Sequence, residues 1–101
     1  MRELHNRARG EVLLEIDGQA VRLCLTLGAL AELEAAFDVA SFSELGERLG
    51  QLTASDLLVV VAALVRGGGG DVSVAMLAAS CIDPKAAAGA VAECFRLALD
   101  E

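Results

Sequence analysis

The sequence predicts an α+β domain in which one N-terminal antiparallel β-hairpin packs on a bundle of four to five α-helices. Three observations carry that prediction. Apolar and polar residues alternate on both sides of Asp17-Gly18, the pattern of a half-buried two-stranded ribbon. Beyond Thr26 the apolar positions change to three- and four-residue spacing and hold it in successive segments. Each of those segments starts at a residue suited to cap a helix, and glycine or proline stands at several of their boundaries.

The hairpin occupies residues 10–26. Asp-Gly suits the positive φ angles of a type I′ turn, and a two-residue loop fixes the register by counting. Ile16 then faces Gln19, Leu14 faces Val21 and Val12 faces Leu23, all on one largely apolar face. The other face carries Glu11, Leu13 and Glu15 against Cys24, Arg22 and Ala20. A lone hairpin is marginal in water, so its apolar face needs a helical cover.

Helices are expected at about 27–38, 42–50, 54–66, 73–80 and 84–99. Thr26 caps the first, whose stripe is Leu27, Leu30, Leu33 and Phe37. Ser41 or Ser43 caps the second, with Leu45, Leu49 and Leu52 on its stripe and Gly50 closing it. The third starts in the Thr53/Ser55 region. Its Leu57–Val65 stretch is apolar all round, which marks a helix enclosed by others. The run Gly67-Gly68-Gly69-Gly70 reads as a C-terminal cap followed by a flexible connection. Ser73 starts the fourth helix. Asp83-Pro84 starts the fifth, with Asp as cap and Pro at the first helical position. Residues 1–9 read as a flexible, basic N-terminal arm, and 10–101 as a single domain.

Composition narrows the function classes. The chain has 101 residues, 55% of them hydrophobic, with a net charge of −7 and Phe as its sole aromatic type. An acidic surface repels phosphate backbones, so nucleic acid is not an expected partner. The longest unbroken apolar run, Leu57–Val65, is far short of the ~20 residues of a membrane-spanning helix, so no membrane partner is expected. Cys24, Cys81 and Cys94 lie far apart without metal-site spacing and read as core or near-core thiols in a reducing cytoplasm. No apolar signal segment opens the chain, and a cytoplasmic location is expected.

No catalytic, cofactor-binding or metal-ligating set emerges. His5 is the sole histidine and belongs to the N-terminal arm, so a nucleophile has no evident base. Glu32, Glu34, Glu44 and Glu47 fall on solvent faces without histidine or an EF-hand spacing. The glycine run lacks the Lys-Ser/Thr of a phosphate loop. A non-enzymatic protein is expected. The surplus of small apolar surface points instead to protein–protein contact. Candidate contact residues are Val91, Phe95 and Leu99 along one exposed side of the last helix, and Leu13 on the hairpin.

Three blocks carry a resemblance to a known family. They are GEVLLEIDGQAVRLCLTLGALAELEAAF from Gly10 to Phe37, the apolar helix ending Ala63-Leu64-Val65-Arg66-Gly67-Gly68-Gly69, and the Ala-rich last helix with Phe95-Arg96-Leu97-Ala98. In them the chain resembles the small tail assembly chaperones of gene transfer agents and long-tailed phages, whose members are also labelled tail tube or tail proteins. The resemblance implies a chaperone in the host cytoplasm that coats the tape-measure protein, recruits tail-tube subunits and is absent from the finished particle. A structural tail component retained in the particle and a small adaptor domain, homo-oligomeric through its Ala-rich helix, stand as alternatives.

Overall fold

The computed structural model describes residues 10–99, except for the side chains at 42 and 99. The expected N-terminal arm lies outside the described residues, as does the side chain of Leu99. The hairpin comprises β1 (Glu11–Ile16) and β2 (Gln19–Cys24), which pair in the register counted from the turn, from Ile16 opposite Gln19 to Glu11 opposite Cys24. Asp17 and Gly18 take φ of 54° and 80°, the two positive values that a type I′ turn requires. The turn is also held from outside. Asp17 N–H donates to Cys81 C=O at 2.9 Å, and Cys81 N–H donates to Asp17 Oδ1 at 2.7 Å.

Five helices follow: α1 (Leu27–Phe37), α2 (Phe42–Leu49), α3 (Ala54–Gly67), α4 (Val74–Ala78) and α5 (Pro84–Leu99). Their N-termini use the expected side chains. Thr26, Ser41, Thr53 and Ser73 each accept a hydrogen bond from the backbone N–H three residues on. Thr53 goes further, because Asp56 reaches back to the Thr53 N–H and completes a capping box. At α5, Asp83 Oδ2 accepts from Ala86 N–H, and Pro84 occupies the position where no donor is needed. Asp38 ends α1 in the left-handed region at φ 55°.

α3 is the hub, packing on β2, α1, α4 and α5, while α5 covers β1 and α2 packs on α1. Val60 to Val65 are all buried, with Leu23 and Leu14 from the hairpin, Leu33 from α1 and Cys94 from α5. No buried polar or charged residue interrupts this core among the described residues. Burying a leucine or valine contributes about 1.5–3 kcal/mol. Ala29, Ala62, Ala63, Ala87 and Ala90 are buried too, and their short side chains let the helices approach closely.

Three expectations need correction. The glycine run is not simply a flexible link. A Cβ on Gly67 would strike the carbonyl oxygen of Cys24, and one on Gly68 would strike that of Arg22. The end of α3 therefore lies directly against the β2 backbone, and glycine is needed for contact. The left-handed turn falls at Gly69, with φ 97°. Second, Cys81 is exposed in the α4–α5 connection, where it contributes backbone groups to the turn clamp, whereas Cys94 is buried and Cys24 half-buried. Third, Val91 and Phe95 do not stand on an exposed side of α5. They are only 4% and 8% exposed, because α5 turns this face inward.

Candidate functional site

α2 leans on α1 and stands away from α5, and the space between α2 and α5 is an open groove of about 940 Å³. One wall is Ser43, Gly46 and Leu49 of α2, continued by Gly50 and Leu52. The other is Pro84, Ala88 and Ala92 of α5, with Val91 and Phe95 deeper in the lining. Thr53, Ala54 and Leu57 close the end at the start of α3. Among the described residues only Ser43 and Thr53 bring polar side chains to the lining, and the Thr53 hydroxyl is already occupied in the capping box. A smaller apolar cavity of about 230 Å³ adjoins it, sharing Ala54, Leu57 and Pro84 and reaching Leu77 and Ile82.

Local sequence explains both walls. Ser43, Gly46 and Gly50 recur at helical spacing, so along this row α2 brings little side-chain volume to the groove, and Leu49 is the large side chain on its wall. Pro84, Ala88 and Ala92 repeat every four residues on α5. Small residues on both walls keep the groove wide.

Charge is confined to the outer surfaces. Glu44 and Glu47 are exposed on α2, and Glu44 accepts from Ala40 N–H at 2.8 Å. Arg48 pairs with Asp56 at 3.2 Å and lies over the Phe37 ring at 5.1 Å, joining α2 to α3 and α1. On α5, Arg96 pairs with Glu93 at 2.6 Å. Beneath this surface the Cys94 thiol is pushed up from an ordinary value near 9 to about 12, chiefly by burial, with smaller contributions from Cys24 and Glu93. Such a thiol is inert at neutral pH. No group of three or more His, Cys, Asp or Glu residues able to hold a metal gathers among the described residues. No helix among them is long and apolar enough to cross a membrane.

Of the residues singled out from sequence, Val91 and Phe95 come together in the groove. Leu13 does not join them; it is half-buried on the outer face of the hairpin, opposite Arg22. The contribution of α2 escaped the sequence reading. Its signal was present in the Ser43, Gly46 and Gly50 spacing, which only acquires meaning once α5 is known to face it.

Compared with known protein families, residues 9–101 match the family described as "Phage tail tube protein, GTA-gp10". No curated protein and no solved structure gave a match.

Proposed function

The chain belongs to this phage tail tube, GTA-gp10 family, and is thereby a protein of phage or gene transfer agent tail assembly; from that premise we propose that it is a non-enzymatic tail assembly chaperone. It binds apolar helical segments of the tape-measure protein, keeps them soluble in the cytoplasm and brings tail-tube subunits to them. The observation that carries this reading is the apolar groove between α2 and α5, open and free of catalytic chemistry. An amphipathic helix laid into such a groove buries its apolar face, and small residues on both walls allow close approach. The net charge of −7 keeps the loaded complex soluble. Among the described residues the sheet is a single hairpin, little strand for a subunit that must build a tube wall.

The family description itself favours a second reading, a structural component that stays in the tail. One experiment separates them. The tagged protein is purified from particle-producing cells, bound proteins are identified by mass spectrometry, and finished particles are analysed alongside. The chaperone reading expects capture of the tape-measure and tail-tube proteins and no copies in particles. Ala92→Glu, on the exposed wall of the groove, is expected to keep the helical circular dichroism and lose the capture. Phe95→Glu is a poorer probe, since it places a charge in the core. Stoichiometric protein in mature particles makes it a tail component.

A further inference from the structure

The two edges of the hairpin differ. With Ile16 and Gln19 flanking a two-residue turn, Leu14–Val21 and Val12–Leu23 are the pairs that exchange hydrogen bonds. The N–H and C=O groups of Leu13 and Glu15 therefore point away from β2, and those of Arg22 and Cys24 point away from β1. On the β2 side, Gly67 lies against the Cys24 carbonyl and Gly68 against that of Arg22, which covers the edge at these two residues and leaves only Ala20, beside the turn, open. On the β1 side, no hydrogen bond reaches the outward groups of Leu13 or Glu15 among the described residues. Glu15 is exposed and Leu13 half-exposed. Glu11 has interactions of its own and is not counted among the open edge groups.

We propose that the outer edge of β1 at Leu13 and Glu15 is a strand-addition site for an extended segment of another protein. That segment runs antiparallel and carries lysine or arginine two positions before an apolar residue. Running antiparallel, it places its basic residue opposite Glu15 and its apolar residue opposite Leu13. Exposed edge N–H and C=O groups supply the backbone bonds, and the cross-strand pairs supply selectivity. A second copy of the chain is a poor occupant. Two β1 strands paired about Leu13 would set Glu11 opposite Glu15 twice, and each copy carries a net charge of −7. This site is independent of the α2–α5 groove.

The test uses the full chain and two strand-forming peptides, one with lysine two positions before valine and one with glutamate in place of the lysine. Amide hydrogen exchange is followed by NMR. In the free chain Leu13 and Glu15 amides exchange quickly while Val12 and Leu14, bonded to β2, are protected. Millimolar lysine peptide is expected to protect Leu13 and Glu15, binding roughly threefold or more tightly than the glutamate peptide. Glu15→Lys, at an exposed position that does not threaten the fold, is expected to reverse that preference. The proposal is overturned by absent protection, by equal binding of both peptides, or by protection that rises with chain concentration when no peptide is present.

Discussion

Gly67 and Gly68 at the end of α3, and Gly46 and Gly89 on the helices either side of the groove, are the same residue under opposite constraints. At the first pair an added methyl collides with the β2 backbone, which has no rotamer to change. At the second pair an added methyl meets nothing within 4 Å. One side of the molecule is closed to the last atom, and the other has been left with room. Space in a small, apolar domain is thus not spread evenly, and the open region is where a partner can be accommodated.

The strongest way to break this contrast is to enlarge the closed side. Gly68→Val is expected to cost about 3 kcal/mol or more, because either α3 or β2 must move bodily. Urea unfolding would show a lost or strongly lowered midpoint; a midpoint close to that of the parent would mean the α3–β2 contact is not tight. Ala62→Leu, in the enclosed stretch of α3, is expected to cost about 1–3 kcal/mol by overpacking. The same change at Ala88, on the groove wall, should move stability by less than about 0.5 kcal/mol. If the two leucines prove equally harmful, the groove is not open in solution.

Dryness of the closed side has a pH signature. Cys94 holds its proton to about pH 12 in the folded chain, against an ordinary value near 9. Between these limits the folded state binds more protons than the unfolded state, so stability falls as pH rises, by about 1 kcal/mol per pH unit. Below pH 9 the contribution is fully present. Cys94→Ala should flatten that slope when unfolding is measured between pH 8.5 and 10.5. An unchanged slope would assign the pH dependence to other groups. Exposed Cys81 should be alkylated readily at pH 8 in the folded chain, and Cys94 only on unfolding.

The contrast between the two regions also marks where sequence reading stops. The hairpin register was legible because Asp17-Gly18 permits one short loop, and the period of two then assigns every residue to a face. Helix starts were legible because Thr26, Ser41, Thr53 and Ser73 act locally, through a bond three residues away. Gly67 and Gly68 were misread for the converse reason. Their constraint comes from Arg22 and Cys24, which are remote in the chain. α5 posed a related difficulty. Apolar or small residues surround most of it, so its period could not show that Val91 and Phe95 turn inward while Ala88 and Ala92 border the groove. The groove needs two helices to exist, and neither helix announces it alone.

A small expected gain in stability is also the most discriminating. Gly46 and Gly89 both sit in helices with ordinary φ and free space at Cβ, so Gly46→Ala and Gly89→Ala should each raise stability by about 0.5–1 kcal/mol. Thermal unfolding would register this as a gain of roughly 2–5 °C. Their effects on partner capture should diverge. Gly46 lines the groove and Gly89 does not, so an added methyl narrows the groove only at position 46. Gly46→Ala should therefore be more stable yet capture less tape-measure protein, while Gly89→Ala is more stable and captures as before. A glycine kept in a helix against its own stability is explained if its missing side chain is where the partner's backbone lies. Equal capture by both variants would mean that the partner binds elsewhere, and that the groove's small residues serve only to hold α2 and α5 apart.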